Sequence, residues 1–422
     1  MMKHLLFYIF LIGLFACDTA SNIEQPGKNY FLKYFGDDGD QQAVDLIVNT
    51  DGTFFILGNS RETLGTNRKV YLAKANALGQ LLWAKTFGDV EMEAKDFLLT
   101  ADGKLAMVAN KLNSNSNNMD VLLTRFALDG TRMDSVLLFT TTLNPYNEFA
   151  NSITQLNDGG FMVAGYTDNV NGKNLQFAAM HLRVDKNLIK NPVWTEITDV
   201  APILPPVKVD KAVKVIQNSK DSIFVFGHNN SYSTDYNFWA FRLGKNSGVF
   251  TGNSDQLSEF SDIGTDEFIT NAIKTSQGGY LLTGISVSQN QNFNVKVDKI
   301  RFDDLSFTPS DVQYSYSSSS LGVGAAQFAT AYSTASGFFV LTNTYKASQG
   351  KSDILLFKID NLLQDAWSSP VQFGGDGEDT AAAVAELPDG HIMVLGTMNL
   401  GNPPEQFKIV LMKLNAQGKL TN

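Results

Sequence analysis

Residues 373–384 read FGGDGEDTAAAV, and residues 35–45 read FGDDGDQQAVD. Two segments at opposite ends of the chain thus share one phrase: an aromatic–glycine step, acids around a second glycine, then small residues opening an apolar strand. Working outward from either copy, the next landmark is a turn between two apolar strands. It recurs as NTDGTFFILGN, TADGKLAMVAN, LNDGGFMVAGY, NSKDSIFVFGH, TSQGGYLLTGI, TASGFFVLTN and LPDGHIMVLGT. Aligned on its second turn residue, the landmark falls at Gly52, Gly103, Gly159, Asp221, Gly278, Ser336 and Gly390, at intervals of 51 to 62 residues. Six positions later stands a small residue, Gly58, Ala109, Gly165, Gly227, Gly284, Thr342 or Gly396. A basic residue follows late in an apolar strand of every unit: Lys74, Arg125, Arg183, Arg242, Arg301, Lys358 and Lys413.

Each unit reads as four short strands; in the second they are LLWAKTFG, AKDFLLTA, KLAMVAN and DVLLTRFAL. Asp-Gly and Gly-Gly suit the turn between the middle strands, because glycine takes positive φ without steric cost. Amphipathic helical periodicity is absent. Seven such units predict an all-β fold, a single seven-bladed β-propeller of four-stranded blades, which solves the exposed-edge problem by radial repetition. The units resemble the bacterial seven-bladed β-propeller repeat family, whose repeat runs F-G-G-x-G-D-D, then D-G-x-[YF]-[VI]-x-G, then a strand ending K-[LF]-D-x-x-G. FGDDGD, TDGTFFILGN and VYLAKANALGQ carry the resemblance in the first unit, and FGGDGED, PDGHIMVLGT and IVLMKLNAQGK in the last. It implies a fold and hardly any chemistry.

The last unit ends at FKIVLMKLNAQGKLTN without the LWAKTFG-type strand that follows elsewhere, and the first begins with NYFLKYFG, which has that character. The N-terminal strand is therefore expected to complete the last blade and close the ring, so that residues 30–422 form one propeller. FGDDGD and FGGDGED then become neighbouring loops.

The segment ahead of the repeats has a different character. MMKHLLFYIFLIGLFAC has a short basic start, an apolar run too short for a comfortable membrane span, and a cysteine at its end. Leu14-Phe15-Ala16-Cys17 resembles the bacterial lipobox, which implies removal of residues 1–16 and acylation of Cys17 on its sulfur and its new amine. An ordinary secretory signal with an incidental cysteine is the other reading. Cys17 is the only cysteine in the chain, so no internal disulfide is available and stability has to come from packing. Residues 17–29 form a polar tether, and the expected location is the cell envelope, lipid-anchored at the outer membrane or cell surface. The formal net charge of −10 argues against nucleic acid and against an anionic bilayer surface as partners.

A residue repeated in every unit is architectural, since a ring has no use for seven copies of one catalytic group. The repeated Lys/Arg are therefore assigned to pairing with carbonyls or loop acids, Trp83, Trp194 and Trp367 to packing between blades, and Trp239 to the core. Function is sought where the units differ. Asp37, Asp38 and Asp40 lie opposite Asp376, Glu378 and Asp379 at the closing junction; such hard oxygen ligands suit Ca²⁺, although neither loop has a recognised calcium spacing and a solvated acidic rim kept for solubility is the favoured reading. Asn-, Ser- and Tyr-rich loops gather on the same face, with His228, Tyr232 and Tyr236 in one of them, positioned to offer hydrogen bonds and stacking to a glycan or a peptide; they also have the ordinary composition of surface loops. The long connection over residues 185–213 either presents its apolar APILPP edge to a partner or is merely a longer surface excursion. These readings converge on a non-catalytic binding module, monomeric as a ring, for an envelope protein or an extracellular glycan. The rival is a propeller-type polysaccharide hydrolase or lyase, which a compact set of carboxylates with His228 inside the channel mouth would favour. The remaining histidines are scattered, no thiol is left for nucleophilic work, and no Gly-x-Ser-x-Gly elbow occurs.

Overall fold

The structure, a computed structural model, describes residues 30–62, 66–138, 146–168, 175–189, 196–198, 208–218, 221–230, 235–243, 257–260, 264–276, 278–289, 293–300, 312–317, 328–346, 351–401 and 406–420. Cys17, Tyr232, Trp194, Arg301 and the APILPP segment lie outside them. The described residues contain 28 strands and no helix. Each sequence unit begins with a strand that lines the axis: Asp40–Val48, Met92–Leu99, Glu148–Gln155, Lys208–Gln217, Thr265–Lys274, Ala329–Thr334 and Thr380–Glu386. Each of these lies against its neighbours in the list, and the last lies against the first, which closes the ring.

The expectation of seven separate four-stranded blades is corrected by the sheets themselves. The strands hydrogen-bond into six sheets, five of four strands and one of eight. The eight-stranded sheet runs the third and fourth sequence units together. Its seam is a parallel pairing of Leu175 with Lys208 and of Phe177 with Val209. The physical reason is strand length. Leu175–Val184 and Lys208–Gln217 are each ten residues long. The second of them starts two residues ahead of Asp210, whose partner Asn229 corresponds to the Glu148–Thr167 pair that opens the preceding unit. The protein is thus a β-propeller of six sheets, with two axial strands supplied by one of them.

The first strand, Phe31–Phe35, pairs antiparallel with the last, Phe407–Leu414, from Phe31 opposite Lys413 to Phe35 opposite Ile409. Sheets are buried on both faces by their neighbours, which explains unbroken apolar runs such as Phe54–Leu57, at most 1% exposed. Phe55, Leu57, Val70 and Leu72 pack on Phe97, Leu105 and Met107 of the next sheet. Trp239 is fully buried and stacks on Phe241 at 5.0 Å, and Trp83 and Trp367 pack on Phe55 and Phe339. The repeated basic residues are structural: Arg125 pairs with Asp134, Arg183 with Asp158 and Lys413 with Asp389, whereas Lys74 and Lys358 lie over Phe55 and Phe339.

The recurrent small residue has a steric cause. A Cβ on Gly165 would run into the Phe149 carbonyl of the axial strand, and one on Gly58 would lie 2.6 Å from the Gln42 oxygen. The close approach occurs where the axial strand bulges. Register shifts fall between Ala43 and Asp45, Ala94 and Asp96, Ala150 and Ser152, Ala212 and Lys214, Ile269 and Asn271, and Ala381 and Ala383. A bulge leaves one residue out of the ladder and re-aims its neighbours, here toward the axis.

Candidate functional site

The bulges create a cavity of about 550 Å³ on the ring axis, walled by the axial strands. Its composition follows from which residue each unit places at the bulge. The segments AVD (43–45), AKD (94–96), ANS (150–152), AVK (212–214), ITN (269–271) and AAA (381–383) occupy equivalent positions. The third residue is acidic in two units and basic in one, and elsewhere it is neutral. That asymmetry sets a charged group on one side of the channel.

Asp96 accepts hydrogen bonds from the Ile153 amide (3.0 Å) and from Lys214 Nζ (2.8 Å), both through Oδ2. The amide contact belongs to the architecture, for Ser152 does the same for the Val215 amide at 3.0 Å. The lysine contact is particular to this pair and spans the cavity, past the intervening strand Glu148–Gln155. Asp45 Oδ1 accepts from the Leu46 amide at 2.8 Å, and its carboxyl hydrogen-bonds to Asp96. Burial, and then repulsion from Asp96, push the Asp45 carboxyl up to about 8 against the pull of Lys214. Burial lowers the Lys214 ammonium, but the Asp96 and Asp45 carboxylates outweigh it and hold its pKa above the ordinary lysine value. Asp45, Asp96 and Lys214 therefore form one connected polar chain facing the cavity.

A second group on the same wall arises from a substitution in the repeat. The residue after the recurrent small position latches neighbouring sheets together. Asn59, Asn110 and Asn343 accept the amides of Ala94, Ala150 and Ala381, and Thr397 Oγ1 accepts that of Ala43, at 2.6–2.9 Å. In the eight-stranded sheet this position holds Tyr166 and His228 instead, and both line the cavity. His228 is the direct cross-strand partner of Lys211. The Lys211 ammonium lies 4.4 Å from the centre of the Tyr166 ring and 4.6 Å from that of Phe177. Partial burial lowers its pKa. Among the described residues it has no carboxylate partner; Lys95, by contrast, is neutralised by Glu93 at 2.7 Å. Burial, with Lys211 beside it, holds the His228 imidazole down to about 3, so the ring is neutral at physiological pH. The ring hydrogen-bonds to the Ile269 backbone while, among the described residues, its buried Nδ1 has no partner.

Of the residues singled out in the sequence, His228 lies in this cavity wall, on the strand Ile223–Asn229 rather than in a loop. Tyr236 stands behind it, with ring centres 6.3 Å from His228 and 4.7 Å from Phe268. The acidic junction is a separate feature. Asp379 is buried and accepts the amides of Gly375 and Asn399, each at 2.9 Å, which holds its own loop. Asp40 accepts the Phe407 amide at 3.2 Å, and Lys408 donates to the carbonyls of Asp37 and Gly39. Asp38, Asp376 and Glu378 are exposed. Among the described residues, no three His, Cys, Asp or Glu side chains are grouped to hold a metal ion. The residues missed in the sequence are Asp45, Asp96, Tyr166, Lys211 and Lys214. Aligning the units on the Ala-x-polar step of the axial strand would have exposed the first, second and last of them.

No family model matches the chain, and no curated protein matches it in sequence. Solved structures resemble it in fold alone. The chain is 10% identical to a protein of unknown function from Dyadobacter fermentans, covering 91% of this chain and 99% of that one with a TM-score of 0.44. The β-propeller domain of the Trilobed protease from Pyrococcus furiosus aligns over 93% of this chain and 97% of that one, at 9% identity and a TM-score of 0.47. The phage phi92 endosialidase aligns over 92% and 69%, at 9% identity and a TM-score of 0.48. At TM-scores below 0.5 these likenesses carry no argument about activity.

Proposed function

We propose that this propeller is a binding module whose ligand sits in the axial cavity, and that Cys17 holds it to the cell envelope as a lipoprotein. The observation that carries the first part is the cavity wall. Its polar side chains are those in which the units depart from one another, whereas the latching Asn and Thr residues and the recurrent basic residues serve the ring. A pocket of a few hundred Å³ with a small number of convergent polar groups is the common form of a small-ligand site. Glycan ends or short hydroxylated ligands match its size and chemistry better than a folded protein, which would need a broad surface.

A hydrolase built on the two aspartates is disfavoured by their spacing. Carboxyl groups that straddle a glycosidic bond stand about 5 Å apart or more, whereas Asp45 and Asp96 are in hydrogen-bond contact. The lyase reading keeps one supporting observation, the neutral His228 with a bare Nδ1 beside an ammonium. The ammonium is able to offset a carboxylate, but an imidazole held down to about 3 is a weak base. Full-length protein is to be screened on a glycan array, alongside Lys214→Met and Asp96→Asn variants of confirmed fold. Binding that weakens in both variants supports the axial site; binding indifferent to both removes it. Release of unsaturated products from a bound polysaccharide would replace the binding reading with the lyase. For the anchor, Cys17→Ser is expected to release the protein or leave it unprocessed, and mature-length protein still in the membrane fraction would end the lipoprotein reading.

A further inference from the structure

We infer that the part of the cavity formed by Lys211 and His228 is a seat for a hydroxylated carboxylate, a sugar acid rather than a neutral sugar. The inference rests on the axial-cavity reading and narrows its ligand. Lys211 is a cation half withdrawn from water, and among the described residues it faces aromatic rings, not a counter-ion. Cation–π contacts offset part of the cost of desolvating an ammonium, but its hydrogens stay available to an anion. The chain as a whole carries a formal charge of −10, so a lone ammonium on the axis is a local exception that would select a negative ligand from neutral ones.

His228 supplies the second half of the recognition. Lys211 and His228 are opposite residues of adjacent antiparallel strands, and both line the cavity, so one ligand can touch both. The backbone contact to Ile269 favours the protonated ring, as a carbonyl acceptor does. That contact uses the ring N–H, so Nδ1 keeps its lone pair, which no described residue engages. A lone pair accepts a hydrogen bond from a hydroxyl and repels a carboxylate, while the ammonium does the reverse. The two groups together therefore specify a carboxylate with a hydroxyl close by, as on the ring of a uronic acid. The Asp45–Asp96–Lys214 chain does not compete for the anion, because Lys214 is already paired.

The seat is a product of the sheet seam. Phe177 pairs with Val209 across the parallel junction, and this brings its ring beneath the ammonium two residues further on. Tyr166 comes from the third sequence unit and Lys211 and His228 from the fourth, the two units that the seam joins.

The test is calorimetric titration of the full-length protein with D-glucuronate and, separately, with D-glucose. Glucuronate is expected to bind saturably and glucose at least about tenfold more weakly. Lys211→Met keeps the apolar stem and removes the charge; it is expected to bring glucuronate down to the level of glucose, while Lys211→Arg retains the preference. Equal affinity for the two sugars in the wild type overturns the inference without recourse to any variant, as does absence of saturable glucuronate binding at millimolar concentration. If glucuronate binds and is lost in Lys214→Met but is unchanged in Lys211→Met, the axial cavity stands as the site and the sugar-acid seat falls.

Discussion

Lys214 Nζ reaches Asp96 Oδ2 at 2.8 Å from two axial strands that are not neighbours, so an ion pair crosses the ring rather than running along it. Asp96 is 6% exposed and also holds the Ile153 amide. Removing its charge deprives the ammonium of its hydrogen-bonded partner and leaves it Asp45 alone, and breaking a buried pair from one side is more costly than never having built it. Asp96→Asn keeps the amide acceptor and is expected to cost about 3 kcal/mol in urea unfolding. A loss under about 0.5 kcal/mol would mean that the pair is solvated like a surface bridge.

The Asp45 carboxyl, pushed up to about 8, ties stability to pH. Its native pKa exceeds that of the unfolded chain, so the folded state binds the proton more tightly. The contribution is complete below the unfolded carboxylate value near 4 and is lost progressively as pH rises toward about 8. Asp45→Asn is expected to flatten the fall in unfolding free energy across that window and to be more stable than the wild type at its upper end. Parallel pH profiles for the two proteins would contradict the assignment.

His228 works in the opposite sense. Its folded pKa, held down to about 3, lies below that of an unfolded histidine, so its contribution is present above about pH 6.5 and is lost as pH falls toward about 3. Imidazole resonances followed by NMR are expected to show His228 neutral across pH 5–8. An inflection near pH 6.5 would show that water reaches the ring freely.

Gly165 tests the close approach of strands. Alanine there would drive its Cβ into the Phe149 carbonyl, whereas a Cβ on Gly375 meets nothing within 4 Å. Gly165→Ala is expected to lose about 2–3 kcal/mol in thermal or urea unfolding, and Gly375→Ala to stay within about 0.5 kcal/mol of the wild type. Equal tolerance of both changes would remove the steric account of the recurrent small residue.

The repeat was legible because turn glycines and small residues answer to local backbone geometry, which is the same in each unit. Gly52, Gly103, Gly159, Gly278 and Gly390 all have φ between 73 and 86° as the turn demands. The merger of two units into one sheet was not legible. It depends on two extra residues, Lys208 and Val209, that look like the end of a proline-rich connection until they are seen paired with Leu175 and Phe177. The cavity was hidden for a related reason. Alternation assigns side chains to faces by counting in twos, and each bulge breaks the count by one. Asp45 and Asp96 thus read as unremarkable strand residues although they face the axis. His228 was noticed for its chemistry but assigned to a loop, since Asn229 and Asn230 after it have turn character and the strand continues through Asn229.

The pairing of Phe31–Phe35 with Phe407–Leu414 also governs how the chain is made. Among the described strands the earliest made waits for the latest made, and until then the nascent ring has raw sheet edges able to pair with other chains. Ribosomal products cut short anywhere before residue 407 cannot be sealed, whatever fraction of their sheets has formed. Such fragments are natural substrates for holding chaperones and proteases, and the cell is expected to contain the finished ring or nothing.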